Sequence, residues 1–141
     1  MTAQASTSTP FSRKIILTLA TKDIGLARAF YTALGFTENE QFSGENCVCI
    51  VMSETISAMF MAESQFANFS PKPVCDTSKS LEVLISLTCR SRTEVDETIQ
   101  KALTAGGSVF EDAEDHGAMY MHSFIDPDGH GWNLIHMEET A

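Results

Sequence analysis

Histidines and carboxylates are the residues of this chain best suited to move protons near neutral pH. His116 lies in the polar stretch Glu111-Asp112-Ala113-Glu114-Asp115-His116-Gly117. Carboxylates beside an imidazole raise its proton affinity and suit it to act as acid or base. The plainer reading of this stretch is a solvated acidic loop. His122 shares strand parity with Ala118 and Tyr120, and its partner must come from another element. His130 falls in a turn, where it can bond backbone groups, and His136 faces a helix by strand parity. Cys47 and Cys49 form a C-x-C on a strand, where alternate residues share a face; the pair suits a soft metal or redox chemistry. Cysteine also serves simply as a small buried hydrophobe.

The elements that must position these groups follow from periodicity and punctuation. Residues 14–21 form a short apolar, β-branched strand. Asp23 caps a helix whose apolar face is Ile24, Ala27, Tyr31 and Leu34, stopped at Gly35. Three strands are expected next, over 36–41, 46–52 and 56–61, joined by Ser43-Gly44 and Ser53-Glu54-Thr55. Residues 62–80, with Pro71 and Pro73, read as a linker or pocket-side loop. The order then repeats. A strand over 81–89 precedes a helix over 93–105 with Val95, Ile99, Ala102 and Leu103 on one face, stopped at Gly106-Gly107. Strands over 108–111, 118–125 and 131–137 complete the second copy. In the last strand Gly131, Asn133 and Ile135 share one face, while Trp132 and Leu134 pack under a helix, so Asn133 either points into a cleft or is a satisfied polar group near the strand end.

This order predicts an α+β fold: two βαβββ modules forming curved mixed sheets around a cleft, with helices on the outside. Residues 1–11 form a leader and 12–138 one domain, with a first module at about 12–62, a linker at 63–79 and a second module at about 80–138. The segment Ala29-Phe30-Tyr31-Thr32-Ala33-Leu34-Gly35-Phe36 closes the first helix, and Asp126-Pro127-Asp128-Gly129-His130-Gly131-Trp132-Asn133 enters the last strand. With this element order, the chain resembles the vicinal oxygen chelate superfamily, the glyoxalase, bleomycin-resistance and extradiol-dioxygenase proteins.

The resemblance implies a divalent ion held by His, Gln or Glu from the first and last strand of each module. Here those positions fall at or near Ile16 and Leu84, near Met59 or Met61, and at Asn133. None is a good ligand for a hard or borderline divalent ion. The expectation is therefore no metal site of that kind and no cofactor, a divalent metal entering only through ligands other than the usual ones. The cleft residues are expected to be Ile16, Thr18, Met59, Met61, Leu84, Ser86, Tyr120, His122 and Asn133. Methionine suits an irregular apolar pocket and is also ordinary core filler.

Two functions follow. One is a small-molecule-binding protein of the bleomycin-resistance type, holding an apolar or aromatic ligand with Asn133, Ser86 and Thr18 as orienting groups. The other is a glyoxalase-like lyase, isomerase or dioxygenase with a rebuilt site, using His116 or His122 with Glu82, Glu111 or Glu114. The resemblance also implies a homodimer, with modules paired within or between chains.

Composition restricts the partners. Nine basic residues against 19 acidic ones give a net charge of -10, which repels phosphate backbones and anionic headgroups, so neither nucleic acid nor a membrane is an expected partner. The N-terminal stretch lacks the basic and apolar regions of an export signal, and a cytoplasmic location is expected.

Overall fold

The computed structural model describes residues 10–138; residues 1–9 of the expected leader lie outside the described residues. The first module runs β1 (Ile15–Thr21), α1 (Ile24–Ala33), β2 (Thr37–Glu38), β3 (Cys47–Val51) and β4 (Ile56–Ala62). Asp23 starts α1 by accepting the Leu26 N–H at 3.0 Å, one of the donors that the first helical turn leaves unpaired. Gly35, at φ 107°, ends it in a conformation that L side chains avoid. Ala27, Tyr31 and Leu34 are buried as expected, and so is Phe30, which completes the apolar face. The strand expected over 36–41 stops early. The Asn39 side chain accepts from Gln41 N and opens a single 3-10 turn, Glu40–Phe42.

The segment after β4 is more ordered than the sequence suggests. It begins with a helix, α2 (Glu63–Phe69), before the Pro71 and Pro73 region. Its apolar residues Phe66 and Phe69 are too few to announce a helical face.

The second module runs β5 (Leu84–Thr88), α3 (Arg92–Thr104), β6 (Glu114–Asp115), β7 (Met119–Ile125) and β8 (Gly131–Met137). Ser91 caps α3 through Glu94 N at 3.0 Å, and the Glu94 carboxylate reaches back to Arg90 N at 2.7 Å. Val95, Ile99 and Ala102 are buried, but Leu103, expected on the same face, is 43% exposed. The strand expected over 108–111 reduces to one bridge between Ser108 and Ile125; the edge strand β6 forms further on instead.

The two sheets have the orders β1-β4-β3-β2 and β5-β8-β7-β6. In each, the parallel pair (β1 with β4, β5 with β8) is extended by antiparallel neighbours. The modules share a single core. Tyr31 stacks on Phe60 of the first sheet at 4.4 Å and lies 5.8 Å from Trp132 of the second, while Phe30 meets Phe124 at 5.8 Å. Burying one such phenylalanine contributes about 1.5–3 kcal/mol, so α1 belongs energetically to both halves. This is an α+β fold of two modules, α1 and α3 each covering one face of a sheet, with α2 beside the other face of the first.

Candidate functional site

Strand alternation turns one set of side chains toward the helices and the other toward the open face. In the second sheet the open face carries Leu84, Ser86 and Thr88 of β5, Gly131, Asn133 and Ile135 of β8, and Met121, Ser123 and Ile125 of β7. Its middle row is polar. Ser123 Oγ donates to Asn133 Oδ1 at 2.7 Å, and Asn133 Nδ2 donates to Ser86 Oγ at 3.1 Å. The second amide hydrogen of Asn133 and the Ser86 hydroxyl hydrogen can then be offered to a bound molecule. Ser123 was absent from the expected cleft; the register of β7 on β8 places it there.

In the first sheet the open face carries Ile16, Thr18 and Ala20 of β1, Ser57, Met59 and Met61 of β4, and Cys47, Cys49 and Val51 of β3. Cys49 is buried, and burial pushes its thiol up, with the nearby Ser57 side chain acting in the opposite direction. Ile16 is 63% exposed and Leu84 58%. The two modules meet on their helix sides, which leaves these faces outside the shared core; α2 and the Glu40–Phe42 turn cover part of the first.

Two expected cleft residues are on the wrong side. Tyr120 pairs with His136 and His122 with Leu134 in the antiparallel register, and cross-strand partners share a face. Both therefore point toward α3. The Tyr120 hydroxyl donates to Asp96 Oδ1 at 2.5 Å, and the Arg92 guanidinium lies 5.1 Å from its ring centre. His122 Nε2 is 2.9 Å from the Glu111 carbonyl oxygen. His116 does stand on the open side, at its outer edge, with Nε2 3.0 Å from Glu114 Oε1, and Glu114 pairs with Met121. The two candidate histidines are thus on opposite faces and do not form one site.

Among the described residues, one group of three metal-type donors exists: Asp126, Asp128 and His130. Its carboxylate oxygens and one of its imidazole nitrogens already have hydrogen-bond partners. Asp126 Oδ1 accepts from Asp128 N at 3.0 Å and His130 N at 2.9 Å, and its Oδ2 accepts from the Tyr31 hydroxyl at 2.5 Å. Asp128 accepts from the Thr21 hydroxyl at 2.5 Å and Lys22 N at 3.0 Å. His130 Nε2 is 2.7 Å from the Ala20 carbonyl, so that nitrogen carries the hydrogen and has no lone pair to give. Burial raises the Asp126 pKa, and burial with the adjacent Asp126 raises that of Tyr31 well above its usual value. Asp126 and Asp128 fasten the second module to α1 and to the end of β1.

The positions at which the resemblance leads one to expect divalent-ion ligands fall at or near Ile16 and Leu84, near Met59 or Met61, and at Asn133. They do not fit such an ion, which prefers imidazole and carboxylate donors. Of these, Met61 borders apolar space. A cavity of about 270 Å³ lies between β1, α2 and the start of β5, lined by Thr18, Phe66, Val74, Leu81 and His130 among others. A groove of about 510 Å³ runs past Thr18, Met61, Phe66 and Phe69. Phe66 and Phe69 come from α2, within the segment expected to be a linker or pocket-side loop.

Comparison with known proteins agrees with this architecture. The model of the Glyoxalase/Bleomycin resistance protein/Dioxygenase superfamily matches residues 15–134, and the chain belongs to that family. A hypothetical protein from S. aureus superposes with a TM-score of 0.75 at 28% identity, over 86% of this chain and 92% of that one. A bleomycin resistance determinant encoded on the transposon Tn5 gives 0.59 at 21% identity, over 89% and 98%. A lactoylglutathione lyase from Agrobacterium tumefaciens gives 0.65 at 17% identity, over 91% and 96%. Among curated proteins, no sequence match was found. No helix among the described residues is long and apolar enough to cross a membrane.

Proposed function

We propose that the chain is a small-molecule-binding protein of the glyoxalase/bleomycin-resistance type that works without the usual divalent metal. Its ligand is apolar or aromatic, and the row Ser86, Asn133 and Ser123, with Thr18, orients it. One observation carries the reading: the open faces present apolar side chains around a single hydrogen-bonded polar row, the composition of an organic-ligand pocket rather than of an ion site. The binding unit is a homodimer. Ile16 and Leu84 are more than half exposed on these faces, and a second copy would cover such exposed apolar side chains.

The test is to purify the protein without chelator, measure divalent metal per chain, and follow thermal shift with Ni, Zn, Mn or Fe and with a panel of aromatic compounds. No metal, no metal-induced shift and stabilisation by an aromatic compound that N133A weakens are the expected results. One tightly bound divalent ion per chain would overturn the proposal. A second reading, a lyase or isomerase with a rebuilt site, is favoured by the His116–Glu114 pair at 3.0 Å on the open side. It requires H116A to abolish any lyase or isomerase turnover found, and unchanged turnover would remove it.

A further inference from the structure

The open face of the first sheet holds four sulfur atoms at neighbouring positions: Cys47 pairs with Met61 and Cys49 with Met59. Backbone hydrogen bonds fix how closely they approach. The Asn46 carbonyl accepts from Ala62 N at 2.8 Å, while the Cys47 and Cys49 carbonyls turn the other way, to Gly44 N at 2.9 Å and Asn39 N at 2.8 Å. Both sulfur pairs are therefore non-hydrogen-bonded antiparallel pairs, the type with Cα atoms only about 4.5 Å apart and side chains closest.

Along β3 the two cysteines are about 6.8 Å apart at Cα, at the upper limit of what a disulfide spans. That spacing disfavours a redox pair and leaves both thiols available as donors.

The surroundings select the class of ligand. The turn Glu40–Phe42 covers the cysteines, with Cys47 Sγ 3.8 Å from the Phe42 carbonyl and Cys49 only 5% exposed. A groove past Thr18, Phe66 and Phe69 reaches Met61, on the strand next to the cysteines. Among the described residues, neither cysteine belongs to a group of three imidazole, thiolate or carboxylate donors, so a zinc-type site is not formed. Two thiolates with adjacent thioethers suit a soft monovalent cation.

We propose that Cys47, Cys49, Met59 and Met61 form a binding site for Cu(I), for which Ag(I) is a stable substitute. The site belongs to the first sheet alone and stands whether or not the organic-ligand reading holds.

The experiment is an anaerobic titration of the reduced protein with Cu(I) against a chromophoric competitor. One Cu(I) per chain is expected, retained in C75S/C89S. C47S/C49S should weaken binding about a hundredfold and M59L/M61L about tenfold. Copper binding unchanged in C47S/C49S would overturn the site, and binding unchanged in M59L/M61L would overturn the four-sulfur arrangement. A measurement on the unmutated chain guards against variants that fail to fold. One equivalent of Ag(I) should protect Cys47 and Cys49, mapped by mass spectrometry, from alkylation during brief partial denaturation. Protection of Cys75 or Cys89 instead would overturn the proposal.

Discussion

Replacing Tyr31 by Phe removes the hydroxyl that donates to Asp126 Oδ2 and leaves a buried carboxylate oxygen short of a donor. The loss should be about 1–3 kcal/mol, read as a lower urea midpoint with unchanged m-value. An unchanged midpoint would show that Asp126 is held by its backbone donors alone. Asp126 also predicts a pH dependence. Unfolded, it titrates near pH 4; folded, burial raises its pKa. Between those values the folded chain holds a proton that the unfolded chain has released, so the stabilisation is complete below about pH 4 and declines as pH rises through the folded value. D126N does not titrate there. The excess in Tm of the unmodified protein over D126N should therefore shrink from pH 4 to pH 7. An excess that grows with pH would mean that the charged carboxylate is the stabilising form. Parity in the last strand was enough to put Asn133 on the open face and Trp132 beneath a helix. Tyr120 and His122 were misplaced because their face depends on pairing with His136 and Leu134, which one strand read in isolation does not reveal.

Gly107 illustrates a constraint that belongs to an element rather than a side chain. It lies just beyond α3, where a Cβ would come 2.9 Å from the Ile125 carbonyl oxygen, 3.0 Å from that of Ala102 and 3.0 Å from a Phe30 ring carbon. G107A should lower stability by about 1–3 kcal/mol, while G44A, whose added methyl meets nothing within 4 Å, should leave the thermal midpoint nearly unchanged. Equal midpoints in the two variants would show that the 107–109 segment can move aside. Elements with strong local signals were readable: Asp23 and Gly35 bracket α1, and the alternation in β8 is unambiguous. The two-residue strands β2 and β6 were not. Their extent is set by Asn39 turning the chain and by which segment reaches the free edge of β7, both tertiary outcomes. α2 was missed because the nearby prolines dominate the local pattern.

Taken whole, the molecule joins its modules through Tyr31, Phe30, Phe124 and Trp132, and its unfolding should be one transition in calorimetry. Two separate transitions would contradict the shared core. The exposed Ile16 and Leu84 predict association. Sedimentation should give a dimer, and I16E/L84E should give a monomer with unchanged far-UV circular dichroism. A monomeric unmodified protein would remove the dimer from the proposed function. The repeated element order made this architecture legible from sequence, whereas the meeting of both modules on their helix sides was not, because Phe30 had not been assigned to the buried face.

That meeting has a consequence for how the protein can change. Most of the buried core lies on one side of each sheet, and most of what would recognise a ligand lies on the other. Exchanges at Ile16, Met59, Leu84 or Asn133 leave Phe60 and Trp132 buried as they are, so the recognition surface can be rewritten at little risk to folding. A scaffold divided in this way can lose one set of ligating side chains and acquire another by single substitutions, each passing through a folded intermediate.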